Sequence, residues 1–470
     1  MTLFKLSVLL LRTAVESRAL SQWTIQRRFR STIFALSTAY VKSAVAVFRV
    51  SGPEAARVMS LIGNIESPEH RRAYVRRLRH PVTSKIIDSG VMLWFKGPSS
   101  FTGEDVCELQ CHGSIAVIKT LSSALASIDG LRMAEPGEFA KRAFHNRKLD
   151  LSDAESLADL IDAETESQLD QAIRGSQLSG VCNQWMSQIK EAMANFEAYI
   201  DFSEDQDIPA EEVVKNVRST LRNTLLEIRL ALQSAPRGHA IRTGFRVAIT
   251  GRPNVGKSTL MNILSQQETS IVSPSAGTTR DLVKTTLDLG GLPIVLCDTA
   301  GIRSDTDDAV ELEGITRAKD FAENAHINVS VIDDPASLAR DRGEVANEDT
   351  IVVLNKIDLL RGCTRQPGID YAVSCATGAG IAELTDGIIS RLRSKYAPDA
   401  PPLIVRERQQ ELIQSALENI EMCLADELCA DAVISAEFLR RAAMDLGRIT
   451  GRVETEDILD IIFSRFCIGK

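Results

Sequence analysis

Three regimes of hydrophobic patterning follow one another along the chain. From residue 31 to about 149 the pattern is mixed. Ala44-Val45-Ala46-Val47-Phe48-Arg49-Val50 is an apolar, β-branched run closed by the turn Ser51-Gly52-Pro53, and predicts a strand. Residues 54–62 have helical spacing, 90–95 and 105–110 read as strands, and 115–128 is helical again. That is a small α/β domain. From 149 the period of three to four takes over: Leu157, Leu160 and Ile161, then Ile189, Met193, Phe196 and Ile200, then Val217, Leu221, Leu225, Ile228 and Leu232. Ala235-Pro236-Arg237-Gly238 predicts a break. After a second break at Ala397-Pro398-Asp399-Ala400-Pro401-Pro402 the helical period returns with Leu412, Ile413, Ala416, Leu417, Ile420 and Leu424. Amphipathic helices need partners for their stripes. The economical reading is one helical bundle with an α/β domain inserted between its halves, and two separate helical modules is the alternative.

The inserted segment carries the chemistry. Arg246-Val247-Ala248-Ile249-Thr250 reads as a strand, and apolar residues after Ser258 follow helical spacing. Between them stands Gly251-Arg252-Pro253-Asn254-Val255-Gly256-Lys257-Ser258, a G-x-x-x-x-G-K-S loop. Strand, glycine loop and helix let backbone N–H groups and a helix N-terminus wrap phosphates. Lys257 is expected to reach the β and γ phosphates, and the Ser258 hydroxyl to bind Mg²⁺. Downstream, Gly277-Thr278-Thr279-Arg280-Asp281 suits a switch loop whose Thr279 adds a second hydroxyl to the metal. Asp298-Thr299-Ala300-Gly301 ends an apolar strand, with Asp298 near the metal and Gly301 placed to sense the γ-phosphate. Asn355-Lys356-Ile357-Asp358 follows another strand. The Asp358 carboxylate can accept from the N1–H and 2-amino groups of guanine, donors that adenine lacks at that edge. Ser374-Cys375-Ala376 would offer backbone N–H to the guanine oxygen. Five such stretches in this order predict a GTP site. Its expected contacts are Asn254, Val255, Gly256, Lys257, Ser258, Thr259, Ser273, Gly277, Thr278, Thr279, Asp298, Thr299, Ala300, Gly301, Asn355, Lys356, Asp358, Ser374, Cys375 and Ala376.

Composition adds limits. A chain of 470 residues exceeds one core. No run reaches the roughly eighteen apolar residues of a membrane span. Nine cysteines without a C-x-x-C pair suggest neither a disulfide framework nor a zinc site, and a reducing compartment is expected. Cys107, Cys111 and His112 lie close together, but the cysteine spacing suits a half-buried strand better than a metal set. Residues 1–30 hold six basic residues and one acid, Glu16, among scattered Ser and Thr, the make-up of a mitochondrial transit peptide. Without them the net charge falls from −9 to −14, so any nucleic-acid contact must use a local basic patch or a basic partner. Residues 70–80 hold Arg71, Arg72, Arg76, Arg77 and Arg79. They read as a solvated edge, with a phosphate-binding patch as the alternative.

The G-domain motifs resemble translation-factor-class GTPases, and residues 251–281 the Era-like branch in particular. The flanking stretches Ser100-Phe101-Thr102-Gly103-Glu104-Asp105-Val106, Gln110-Cys111-His112-Gly113, Pro136-Gly137-Glu138-Phe139-Ala140-Lys141-Arg142-Ala143-Phe144, Lys148-Leu149-Asp150-Leu151 and Ala158-Asp159-Leu160-Ile161-Asp162-Ala163, with the terminal Cys467-Ile468-Gly469-Lys470, resemble the MnmE (TrmE) family of tRNA-modification GTPases from residue 31 to the end. The transit-like N-terminus points to its mitochondrial members.

That resemblance implies a multidomain α/β plus all-α protein. Its parts would be a transit peptide at 1–30, an N-terminal α/β folate-binding and dimerisation domain at 31–148, a helical domain at 149–243 and 397–470, and an inserted, doubly wound P-loop GTPase domain at 244–396. By position, Arg49, Glu108, Lys148 and Lys470 match the family's folate contacts. The ligand would be 5,10-methylene-tetrahydrofolate, with 5-formyl-tetrahydrofolate as an analogue. A pterin has donors for Glu108, and the glutamate tail has carboxylates for arginine or lysine. Cys467 falls on the family's candidate reactive thiol, a buried packing cysteine being the plainer reading. A prenylation signal is excluded by Lys at the last position. Ile302 stands where many GTPases place a water-positioning Gln, so catalysis must recruit other groups. The family's hydrolytic acid/base falls on Glu311. The loop is one residue longer than the bacterial pattern, which makes Glu313 the alternative. Asn254 matches the residue that holds K⁺ in potassium-activated members, with Ser273, Ser275 and Thr278 completing the set. Cys111, Ser114 and the segment Thr38-Ala39-Tyr40-Val41-Lys42 depart from the family's glycine-rich turns.

The implied activity is K⁺-stimulated, Mg²⁺-dependent GTP hydrolysis in the mitochondrial matrix. It would serve modification of C5 of the wobble uridine of tRNA by a homodimer working with a flavin-dependent MnmG-type partner. The amine is left open between taurine and glycine. An Era-like regulatory GTPase of mitochondrial ribosome assembly is the rival reading, and has no use for a folate-binding domain.

Overall fold

A computed structural model describes residues 31–202, 210–267, 284–298, 320–337, 349–360, 367–396, 402–425 and 432–452, with 459, 462–464, 466, 467 and 469 near the C-terminus. The chain divides into two compact units. One runs to Glu155 and takes in the C-terminal stretch from Val453; the other is Ser156–Arg452.

The first unit is built on six strands: β1 (Thr32–Leu36), β2 (Ser43–Ser51), β3 (Ala73–Arg79), β4 (Ile86–Phe95), β5 (Val106–Gly113) and β6 (Leu131–Met133). They lie in the order β3-β4-β5-β2-β1-β6. All described pairings are antiparallel except β1 with β6. Alternation decides the two faces. Ala46, Phe48 and Val50 of β2 and Cys107, Leu109 and Cys111 of β5 point into a core shared with α1 (Ala55–Gly63) and α2 (Ile115–Ala126). Val47 and Arg49, and across from them Gln110 and Glu108, therefore point to the opposite face. A further helix is α3 (Glu138–His145), and α4 (Leu151–Asp162) runs from this unit into the next, its residues from Ser156 belonging to the second.

The second unit contains the bundle and the inserted domain. Helices α5 (Glu166–Gly175), α6 (Leu178–Phe202) and α7 (Ala210–Thr243) precede the insertion. After it come α10 (Glu407–Leu424) and α11 (Ala432–Ile449); α8 (Lys257–Gln267) and α9 (Ile381–Tyr396) belong to the insertion itself. One apolar core joins Trp185, Ile189 and Phe196 to Leu221, Ile228, Ile413, Ile420, Leu439 and Leu446. The stripes from either side of the insertion thus cover one another in a single bundle.

The predicted break at 235–238 is not there: α7 continues through Pro236 to Thr243. Proline costs this helix one backbone hydrogen bond, but tertiary contacts hold the turn. The Gly238 carbonyl accepts from buried Gln171 Nε2 at 2.7 Å. A Cβ on Gly238 would stand 2.0 Å from the Ile404 carbonyl oxygen, so this glycine lets the outgoing linker cross against the helix. The signal taken for a helix end marks a crossing point.

The insertion is a six-stranded sheet in the order β12-β11-β10-β7-β9-β8. Its strands are β7 (Phe245–Thr250), β8 (Lys284–Leu289), β9 (Leu292–Asp298), β10 (Ile327–Ile332), β11 (Thr350–Leu354) and β12 (Tyr371–Ala372). Among the described pairings of this sheet, only the β8–β9 hairpin is antiparallel. Strand order reverses beside β7, and ligands of open parallel sheets sit at such a reversal, beyond the carboxyl ends of the strands.

Candidate functional site

Strand β7 delivers the chain to the glycine loop, and α8 begins at Lys257. Gly251 has φ +135° and Gly256 φ +101°, conformations that disfavour a side chain. A Cβ on Gly251 would lie 2.2 Å from the Val331 carbonyl oxygen, and one on Gly256 2.2 Å from Asn355 Nδ2. Both glycines therefore press the loop against β10 and the start of the Asn355-Lys356-Ile357-Asp358 segment. Lys257 is almost fully buried, and its Nζ donates to the carbonyls of Gly251 and Arg252, each at 2.7 Å. Its ammonium is thereby folded over the loop.

Asn355 is the joint between the phosphate side and the base side. It is 1% exposed; its Nδ2 donates to the Val255 carbonyl at 2.8 Å, and its Oδ1 accepts from the Cys375 backbone N–H at 3.1 Å. Lys356 Nζ donates to the Asn254 carbonyl at 2.7 Å and to Asp333 at 2.8 Å. Asp358 accepts from the Ser374 hydroxyl. Asn254, Val255, Asn355, Lys356, Asp358, Ser374 and Cys375 are thus joined by contacts that cross some hundred residues of sequence. Asp333 was missed as a partner in the sequence; its signal was an acid directly after a buried strand. Burial, with the nearby Asp358 charge, raises the Cys375 thiol pKa and keeps it protonated. Thr259 and Ser258 lie in the first turn of α8, and Ala376 adjoins Cys375. The backbone of Asp298 ends β9. Ser273, Ser275, Gly277, Thr278, Thr279, Thr299, Ala300, Gly301, Ile302, Glu311 and Glu313 lie outside the described residues, as do residues 1–30 and Lys470.

In the first unit, Arg49 on β2 and Glu108 on β5 are direct cross-strand partners. Arg49 Nε and Glu108 Oε1 are 3.0 Å apart, and both side chains are about a fifth exposed. The guanidinium lies 5.3 Å from the Phe101 ring centroid and 5.8 Å from that of Phe139. Two rings and a carboxylate fix the arginine while the sheet face leaves part of it accessible. The loop that supplies Phe101 is held by groups that the sequence marked only as parts of family motifs, without a role. Arg142, fully buried, pairs with Glu104 at 3.0 Å and with Glu138 at 2.9 Å. Glu104 also accepts from the Ser51 hydroxyl at 2.7 Å, and Asn146 Nδ2 donates to the Thr102 carbonyl at 2.6 Å. Burial pulls the Glu138 carboxyl up, but Arg132, the Glu135 backbone N–H and Arg142 together hold it below its usual range. Lys148 is exposed just beyond this network.

The C-terminal stretch lies against both ends of α3. A Cβ on Gly137 would meet the Phe463 carbonyl oxygen at 2.2 Å, and the Phe463 and Phe144 rings stand 6.1 Å apart. Gly469, at φ +100°, presses on the Leu36 carbonyl, and its own carbonyl accepts from the Ser37 hydroxyl at 3.2 Å. Cys467 is exposed, so the packing reading of this thiol does not hold. Cys107 and Cys111 are buried, and burial raises both thiols, Cys111 to about 11. No cluster of metal-binding side chains occurs among the described residues. Nor is any described helix long and apolar enough to cross a membrane.

Fold and site together define a P-loop GTPase domain set into a helical bundle. A family profile described as the MnmE helical domain matches residues 151–467, and one described as the GTP-binding protein TrmE N-terminus matches 32–148. The tRNA modification GTPase MnmE of Bradyrhizobium sp. (strain ORS 278) is 43% identical over 450 residues, covering 93% of this chain and 99% of that one. That of Parvibaculum lavamentivorans is 42% identical over 444 residues, covering 93% and 100%. The 5-taurinomethyluridine-[tRNA] synthase subunit GTPB3, mitochondrial, of Mus musculus is 41% identical over 466 residues, covering 94% and 93%. The chain belongs to the MnmE (TrmE) family.

Proposed function

We propose that this chain is the GTP-hydrolysing subunit of a mitochondrial complex that modifies C5 of the wobble uridine of tRNA. The observation that carries the reading is the span of the similarity. Relatives named for tRNA modification align over nine-tenths of the chain, through the N-terminal sheet, the bundle and the G domain alike. A free-standing regulatory GTPase has no need of the first of these.

In this reading the loop N–H groups and Lys257 bind the triphosphate, and Asp358, held by Ser374, reads the guanine edge. The tight approach of Gly251 and Gly256 to their neighbours leaves main chain alone facing the phosphates, which fits such a ligand. Ser258 and Thr279 would hold Mg²⁺. Asn254 would hold K⁺ with Ser273, Ser275 and Thr278; its side chain is exposed at the loop and has no hydrogen-bond partner among the described residues. These cations supply positive charge to the phosphoryl group, a task that Ile302 cannot share. Glu311, with Glu313 as the alternative, would handle the proton of the attacking water.

The Arg49–Glu108 pair offers a donor fork and an acceptor on one face, the set a reduced folate needs, and Lys148 and Lys470 would add charge for its carboxylates. A bound 5,10-methylene-tetrahydrofolate supplies the one-carbon unit. Cys467 stands on a tail packed at the ends of the helix whose Phe139 touches Arg49. The chain would act as a homodimer through its first unit, with an MnmG-type flavin-dependent subunit, in the matrix.

Mass spectrometry of nucleosides from organellar tRNA tests the reading. Cells lacking the protein should lose the C5 substituent of the wobble uridine; an intact substituent overturns the proposal.

A further inference from the structure

The arginine-rich segment is absorbed neither by the nucleotide site nor by the Arg49–Glu108 pair. Between Glu69 and Asp88 the chain has five arginines, one lysine and no acid, in a protein of net charge −9. The structure places this run on β3, the edge strand of the first unit, and on the turns before and after it. Arg71, Arg72, Arg76, Arg77 and Arg79 are all exposed. Among the described residues, only Arg72 of these has an acidic partner, Glu69. Arg76 donates to the Val75 carbonyl and Arg79 to that of Ser84. The side chains of Arg71 and Arg77 have no ionic or hydrogen-bond partner among the described residues.

Charges on an edge strand also prevent sheets from pairing edge to edge. That role is met by one or two lysines. It does not explain a run without acids, nor why Arg72 and Arg76 stand 5.6 and 5.7 Å from the Tyr74 ring centroid. Stacking on an aromatic ring pre-orients guanidinium groups, which suits a polyanion whose oxygens they meet in pairs.

Register adds position. Leu78 is buried in the core, so Val75 and Arg77 face the other way. Val75 opposes Val91, Val91 opposes Gln110, and Gln110 opposes Val47, two residues from Arg49. Arg77 and Arg49 therefore share one sheet face, three strand spacings across and four residues along the strand from each other, on the order of 20 Å.

We propose that β3 and its flanking turns form the contact for the RNA phosphate backbone, and that this strand lays the substrate across the sheet face that carries Arg49 and Glu108. The inference rests on the reading of tRNA as the substrate. Backbone contact gives position without sequence, and an unpaired loop base can then be splayed toward the middle of the sheet.

The test uses the full-length protein and an unmodified tRNA transcript, titrated by fluorescence anisotropy at several salt concentrations. Arg77→Gln/Arg79→Gln should weaken binding roughly tenfold and make the salt dependence shallower by about one logarithmic slope unit per arginine, with the GTPase rate unchanged. Arg77→Lys/Arg79→Lys should restore most of the salt slope. Unchanged affinity and slope overturn the proposal, whether the Gln variant aggregates, as an edge-protection role requires, or instead loses its flavin-dependent partner. Complementation separates this from the wider reading. If the wild-type chain restores the wobble substituent and the Gln variant does so equally, the strand proposal alone fails. If the wild-type chain does not restore it, the function itself is misassigned.

Discussion

The nucleotide site and the Arg49–Glu108 site use opposite construction. In the first, a loop of consecutive residues supplies main-chain groups, and side chains from distant segments clamp the loop from behind: Asn355 on Val255, Lys356 on Asn254. In the second, Arg49 and Glu108 sit on two paired strands 59 residues apart, and a buried ionic network holds the adjoining loop. A backbone cradle is sensitive to any added atom. A side-chain pair on a sheet tolerates local change but depends on the network that fixes its surroundings.

Arg142→Ala should break this contrast most severely. It strips a fully buried cation from Glu104 and Glu138, and breaking such a pair costs about 3–5 kcal/mol. Folate-analogue binding and the melting of the first unit should both suffer, while the GTPase rate stays near wild type. A GTPase rate that fell in parallel would show that the two sites do not stand apart. Gly256→Ala should do the converse. Its Cβ would meet Asn355 Nδ2, and its φ is strained for alanine, so GTP affinity should drop by about 100-fold in a fluorescent-nucleotide titration. Unchanged affinity would mean the cradle is softer than its contacts imply.

The smallest effect concerns pH. His326 accepts from the Arg246 N–H and meets the rings of Phe245 and Tyr396 edge to face. Burial first, then Arg246, Lys395 and His239, with Asp349 opposing, lower its pKa from 6.5 to about 4. The unfolded chain then takes up a proton that the folded domain refuses. This stability is present in full above pH 6.5 and is lost as pH falls toward 4. Thermal melting of the G-domain transition should follow that course, and His326→Gln should flatten it; a wild-type curve that is flat from 6.5 to 4 rules it out.

The phosphate loop was readable because its function needs contiguous glycines, a lysine and a serine at fixed spacing. The strand and helix around it were readable for the same local reason. Asp333 and the Arg142 network were not, since their meaning lies in which distant segment they meet. Arg49 and Glu108 were singled out only through family resemblance, and their pairing was not legible: an arginine in one strand and a glutamate in another carry no sign of their register. Pro236 misled because proline and glycine signal local breaks, whereas Gly238 is there for the chain that crosses it.

That crossing lies at the neck of the insertion, where Asp159 accepts from Arg242 on the incoming segment at 2.9 Å and from Arg406 on the outgoing one at 2.7 Å. One carboxylate thus holds both ends of a loop of some 160 residues. For the bundle, the entropy of closing that loop is met at the neck rather than by the folding of what lies beyond it. The G domain is in this sense a pendant on a clasp: its removal with a short splice between Arg242 and Arg406 should leave the helices beneath it in register, and loss of their cooperative melting would show otherwise.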